Sequence, residues 1–125
     1  MLLVRTYVGA SPIHGLGCFA AQPIVQGARV WELTPGFDVV MTEPQWQRLP
    51  AWQREHLSTH AYLDSQLRMW VYCADDARFF NRARPPTVVA ASAFVDIAIR
   101  DIAVGEEITC DYSLFDASPK KEASQ

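Results

Sequence analysis

Ala77-Arg78-Phe79-Phe80-Asn81 opens the stretch that decides how this chain folds, and Arg100-Asp101-Ile102-Ala103-Val104-Gly105-Glu106-Glu107-Ile108-Thr109-Cys110-Asp111-Tyr112 closes it. Between them lie a Pro-rich turn and one readable strand, Ala93 to Ile99. Its alternation puts Val95, Ile97 and Ile99 on one face and Phe94, Asp96, Ala98 and Arg100 on the other. Ala103-Val104-Gly105-Glu106 reads as a turn with Gly where a positive φ is needed. A short strand then carries the chain to Tyr112. A polar Asn81 directly after two Phe residues is expensive to bury without partners. Its side chain is therefore expected to tie two loops together through its donors and acceptor.

Outward from this stretch, Leu2 to Val8 is β-rich and ends at Gly9, which predicts a first strand. Ala10 to Gly17 is a loop broken by Pro12, Gly15 and Gly17. Ala28 to Leu33 and Phe37 to Met41 read as two strands joined by a Thr34-Pro35-Gly36 turn. Thr42 with Gln45 fits a capping box at a helix start. Pro50 fits the first turn of a second helix, with Trp52, Leu57 and Ala61 as its buried side and Tyr62 at its end. Asp64-Ser65-Gln66 is a turn, and Met69 to Cys73 a buried strand. The tail from Ser113 to Gln125 loses its apolar content, so residues 1–116 are expected to form one domain and 117–125 a disordered tail.

A chain of 125 residues, half of them apolar and a fifth charged, suits one soluble globular domain. No apolar run approaches a membrane span, and no charged leader precedes one, so an intracellular, cytoplasmic protein is expected. Cys18, Cys73 and Cys110 are an odd number with no C-x-x-C pair, which favours buried reduced thiols over a zinc cluster. A net charge of −3 argues against direct nucleic-acid binding. His14, His56 and His60 have no nucleophile elbow nearby, and His56 and His60, expected on one helix face, lack a third metal ligand.

Arg78-Phe79-Phe80-Asn81, a Pro at 86, and Gly105-Glu106-Glu107-Ile108-Thr109-Cys110-Asp111-Tyr112 together resemble the SET domain of protein lysine methyltransferases. Ser11-Pro12-Ile13-His14-Gly15-Leu16-Gly17-Cys18-Phe19-Ala20 resembles a third motif of that family, and the three occur in the family's order. The resemblance implies a mostly-β SET-domain (β-clip) fold: several small sheets, a threaded C-terminal segment and a short helical insert. It also implies S-adenosylmethionine as cofactor and a lysine-containing protein or peptide as substrate. On this reading His14, Gly15, Leu16 and Gly17 lie against the methionine part of the cofactor, and Asn81 holds its amino-acid end. The main chain at Arg82 meets the adenine, and Phe115 covers it. Tyr112 also contacts the cofactor and orients methyl and amine, while Tyr62 lines the lysine channel. Methyl transfer is an in-line displacement that needs a neutral amine about 3 Å from the methyl group. Desolvation helps by lowering an ammonium's pKa.

The sequence departs from the family pattern at Arg82-Ala83-Arg84, where His-Ser-Cys is usual, and at Thr87, where a second Asn is usual. An Arg cannot fill the buried space of that His unpaired. Its guanidinium is expected to reach solvent or a carboxylate such as Asp75, Asp76 or Asp111. Ser113 to Gln125 holds no Cys for a zinc-bound segment over the site. The channel's last wall is then expected from the tail, a substrate partner or a second copy in a homodimer. The short insert from Thr42 to Gln66 suggests shallow peptide recognition. The alternative reading, favoured by the altered motif, is a catalytically degenerate SET-like module that binds or scaffolds other proteins.

Overall fold

The computed structural model describes residues 1–92 and 94–111. In chain order its strands are β1 (Thr6–Ala10), β2 (Leu16–Ala20), β3 (Arg29–Glu32), β4 (Val39–Thr42), β5 (Ala61–Leu63), β6 (Met69–Tyr72), β7 (Asn81–Arg82), β8 (Val88–Ser92), β9 (Val95–Ala98) and β10 (Glu107–Cys110). Two short helices, α1 (Glu43–Arg48) and α2 (Ala51–Leu57), form the insert, and a 3₁₀ turn covers Asp76–Phe79. The strands make three small sheets, ordered β1-β2-β10-β7, β3-β9-β8 and β4-β6-β5. This is the mostly-β, several-sheet architecture that the motifs imply.

The sheets meet at one core, in which Cys18, Val30, Val88, Ile102 and Ile108 are fully buried. All three cysteines are buried free thiols. Burial pushes Cys18 up to about 12 and Cys73 higher still, so both behave as small apolar groups at neutral pH. A second, smaller cluster joins the insert to β5 and β6 through Trp46 stacked on Trp70 at 4.1 Å between ring centroids. The capping box at Thr42 and Gln45 forms as the sequence predicts, each side chain bonding the other's backbone N–H.

Several expectations are corrected. The first strand begins at Thr6 and runs through Gly9; Leu2 makes only an isolated bridge to Trp31. The two strands joined by the turn at Thr34-Pro35-Gly36 form as expected but do not pair with each other: β3 pairs with β9 and β4 with β6. The buried Asp38 carboxylate explains the change of direction, accepting from Thr34 N, Ala74 N and the Met1 ammonium. Of the expected buried side of α2 only Leu57, half-buried, packs against the Trp46 cluster: Trp52 is 66% exposed, and Ala61 and Tyr62 belong to β5. His60 lies beyond α2, with Nδ1 3.1 Å from Arg78 O and its ring edge-on to Phe79, so it shares no helix face with His56. The Pro-rich turn before Ala93 also contains β8, an Ala-rich strand whose last residues are exposed and carry no apolar alternation.

β10 sits between β2 and β7 and pairs with β7 in parallel, Thr109 opposite Asn81 and Cys110 opposite Arg82. Thr87 secures that long-range pairing. Its N–H donates to Thr109 O at 3.1 Å, and its Oγ1 accepts from Thr109 N at 2.9 Å, both in buried surroundings. The residue that departs from the family pattern is thus a buried crosslink. Gly105 takes the expected positive φ, +88°, in the turn before β10. The expected threading of the segment from Tyr112 onward, and the tail 117–125, lie outside the described residues.

Replacing Thr87 by Val keeps the shape but leaves the Thr109 N–H without its buried acceptor. The variant is expected to lose about 1–3 kcal/mol of stability, read as a lower urea midpoint, while Thr87→Ser retains most of it.

Candidate functional site

Asn81 stands where β7, β10 and the Ser11–Gly17 loop converge. Its Nδ2 lies 3.0 Å from His14 O, 3.0 Å from Leu16 O and 2.9 Å from Glu107 Oε2, so two amide protons are shared among three oxygens. Glu107 closes the clamp from the other side: Ser11 Oγ donates to its carboxylate at 2.8 Å, and the same Oγ accepts from Ile13 N at 3.0 Å. The loop is therefore held by three side chains from three separate parts of the sequence. The loop-tying role expected of Asn81 is what the geometry displays. Its Oδ1 has no donor among the described residues and remains an acceptor.

The two loop glycines serve different ends. Gly15 adopts φ +47°, and a Cβ there would meet nothing within 4 Å, so the loop is open to solvent at this point. At Gly17 a Cβ would sit 2.5 Å from Glu107 Oε2 and 2.9 Å from its carboxyl carbon. The missing side chain at Gly17 makes room for Glu107, and any ligand contact there falls to the backbone. His14 and Leu16 are exposed on the same loop.

Next to Asn81, Arg82 turns toward Asp111 as the energetics require. Arg82 Nε lies 3.6 Å from Asp111 Oδ1, and Arg84 Nε lies 2.8 Å from Oδ2. Two guanidiniums thus face one nearly buried carboxylate, and neither charge is stranded. The alternation of a parallel ladder has a further consequence. Ala83 N donates to Cys110 O, so Cys110 bonds to the residues flanking Arg82. The N–H and C=O of Arg82 itself then face the outer edge of the sheet, which β7 forms.

Behind Asn81 and β10 lies a cavity of about 40 Å³ where the three sheets meet, walled by Trp31, Tyr62, Phe80, Asp96 and Cys110 among others. Tyr62, half-buried on β5, contributes to this wall. Burial holds its hydroxyl well above the ordinary tyrosine range, so it stays protonated and can orient a lone pair but not act as a base at neutral pH. Tyr112 and Phe115 lie outside the described residues. Cys110, two positions before Tyr112, ends β10 at the cavity wall.

A family model described as the SET domain matches residues 15–113. The chain belongs to the SET domain family. Its fold also resembles solved SET-containing assemblies. The autoinhibited Polycomb Repressive Complex 2 of Chaetomium thermophilum bound to S-adenosylmethionine aligns with TM-score 0.72 and 22% identity over 97% of this chain. A humanized mutant of that complex bound to an inhibitor gives 0.69 and 23% over 94%. Each covers only 16% of the Polycomb chain, so this chain spans about one sixth of its length. A Plasmodium falciparum protein assigned as a histone methyltransferase aligns with TM-score 0.59 and 16% identity, over 89% of this chain and 95% of its own. At such identities the likeness is one of fold. A search of curated proteins finds no match in sequence.

Within the SET frame, the structure brings together His14, Gly15, Leu16, Gly17, Asn81 and Arg82, and sets Tyr62 apart in the cavity. Sequence reasoning assigned no role to Ser11, Arg84 or Glu107 as the site's internal struts, and named Asp111 only as one of three carboxylates for Arg82. Ser11 and Glu107 both stand inside quoted motifs, and that shared position was the available signal.

Gly17→Ala is expected to push the Glu107 carboxylate off Asn81 and Ser11 and speed amide exchange across residues 12–16 several-fold. The double variant Gly17→Ala/Glu107→Ala should be no worse than Glu107→Ala alone, because one contact carries both effects.

Proposed function

We propose that this SET domain is an S-adenosylmethionine-dependent protein lysine N-methyltransferase. The observation that carries the reading is the Asn81 clamp: one side chain fixes the exposed His14–Leu16 loop beside the strand that leads to Tyr112. The residues fit the cofactor. Asn81 Oδ1 is an acceptor available to an ammonium, and the loop is open at Gly15, where a Cβ would meet nothing. The peptide groups of Arg82 face an open sheet edge, where an adenine needs a donor and an acceptor. His14, Gly15, Leu16, Gly17, Asn81 and the main chain of Arg82 would hold it, with Tyr112 and Phe115 added by family resemblance. When bound, S-adenosylmethionine supplies a methyl group on a sulfonium, an electrophile that needs no metal.

The chain's own residues then have to orient and dry the amine. Tyr62 keeps its proton and can hydrogen-bond the amine lone pair or a nearby carbonyl. Phe80 and Trp31 exclude water from the cavity, which makes each remaining polar contact stronger. Tyr112, in the family role, aligns the amine with the methyl group. The paired Arg82 and Arg84 favour this reading over the scaffold alternative, since the altered motif places its charge on Asp111 rather than in the cofactor's path.

Calorimetry is expected to detect S-adenosylmethionine binding to the wild type, with Asn81→Ala weakening it about tenfold or more. Arg82→His should keep or raise affinity. Mass spectrometry of Lys-containing peptides should show methyl transfer that Tyr112→Phe slows without loss of cofactor binding. A folded protein that binds no cofactor at millimolar concentration would make the scaffold reading the right one.

A further inference from the structure

Asp96, half-buried on β9, differs from the fully buried carboxylates among the described residues. Asp38, Asp64 and Asp111 each accept from backbone N–H groups or guanidiniums. Asp96 has neither hydrogen bond nor ion pair among the described residues. It nevertheless faces the cavity behind Asn81. Its strand partners are Trp31 on β3 and Ala90 on β8, so all three side chains share one face, and all three line that cavity. On both neighbouring strands the register shifts beside Asp96, between Arg29 and Trp31 and between Ala90 and Ser92. Bulges of this kind re-aim side chains and gather next to functional sites. The same wall holds a second such group: the Trp31 indole N–H, on a residue only 3% exposed, is buried with no acceptor among the described residues.

We propose that Asp96 receives the ammonium head of the substrate lysine in this cavity and takes its proton, an inference that rests on the lysine-methyltransferase reading above. The cavity's volume of about 40 Å³ suits a compact primary amine, being room for two or three waters at the usual minimum of about 10–15 Å³ each. Its far wall, Phe80 and Cys110, adjoins Asn81 and the strand leading to Tyr112, so an amine held there is next to the cofactor side. Proton transfer turns the ammonium and carboxylate into a neutral amine and a carboxylic acid. The amine's freed lone pair forms the new C–N bond as the methyl–sulfur bond breaks, its electron pair staying on sulfur. The proton on Asp96 then leaves to solvent.

In water this transfer runs uphill, because the two groups titrate near about 10 and about 4. Burial narrows the gap from both sides. It pushes Asp96 up to about 7, the Met1 ammonium drawing it slightly down, and it lowers the amine. The other ionisable groups around the cavity are His60, Tyr62, Asp64, Cys73, Arg78 and Cys110. His60 is engaged with Arg78 O, Asp64 with the N–H groups of its turn, and Tyr62 and Cys73 stay protonated.

The test uses the full chain and n-butylammonium chloride as probe, without cofactor, followed by NMR at the Trp31 indole N–H. Wild type should show saturable shifts, Asp96→Asn should bind at least about tenfold more weakly, and Asp96→Glu should recover part of the loss. With S-adenosylmethionine and a Lys peptide, Asp96→Asn should lower kcat/KM about a hundredfold. It should also abolish the ascending limb of the pH–rate profile near pH 7 and leave cofactor affinity by calorimetry unchanged. Folding gives a further readout. Asp96 holds its proton up to about pH 7 when folded but only to about pH 4 when unfolded. Wild-type stability therefore falls as pH rises through that window, and Asp96→Asn removes the fall. Equal amine binding by wild type and Asp96→Asn, or undiminished turnover in the variant, overturns the proposal. Asp96-dependent amine binding in a protein that methylates nothing would instead overturn the enzyme reading and leave the cation site standing.

Discussion

Two protons on the Asn81 amide hold the site together. They are shared by the carbonyls of His14 and Leu16 and the carboxylate of Glu107, so a loop near the N-terminus, a two-residue strand and the last described strand become one unit. The constraint explains residue choices on all three pieces. Gly17 lacks a side chain because Glu107 occupies the space. Ser11 is a hydroxyl because the other side of that carboxylate needs a donor and the turn needs an acceptor. None of the three pieces is stable alone in this conformation: the loop has no core of its own, and β7 is too short to persist without β10. In this chain the three motifs complete one another's hydrogen bonding.

Buried carboxylates elsewhere follow one rule, which makes Asp96 informative. Asp38 turns the chain between two sheets by accepting from three donors, one of them charged. Asp64 caps its own turn through Gln66 and Leu67. Asp111 stands between Arg82 and Arg84 and absorbs the charge that the altered motif introduces. Each offsets its desolvation with donors, as a buried charge must. Asp96 has no such donors among the described residues, and burial raises its pKa to about 7 instead.

The helical insert is attached differently from the sheets. Trp46 on Trp70 anchors α1, whereas α2 leaves Trp52 in solvent and packs only Leu57 against the same cluster. The insert adds little to the core around Asn81, so its surface can vary at small cost to that side of the fold.

From the sequence alone, three ordered motifs determined the family, and spacing determined the tie at Asn81, the capping box at Thr42 and the glycine turn at Gly105. The cap and the glycine turn are local, depending on a few adjacent residues whose backbone preferences await no distant partner, whereas the cost of burying the Asn81 amide said only that partners exist, and those lie 26 to 67 residues away. The same held for Arg82, where the cost of an unpaired buried charge pointed to a carboxylate, though not to one of three. Only the tertiary structure decided that β3 and β4 part into different sheets, that the Ala-rich segment Val88–Ser92 is a strand, and that α2 turns Trp52 to solvent. Nor did alternation along the strand containing Asp96 say that its face would meet Trp31 and Tyr62 in a cavity. Pairing between remote strands, and the bulges that turn side chains inward, are set by partners far away in the chain. A period of two in the sequence records which residues share a face, but what that face meets is fixed by packing.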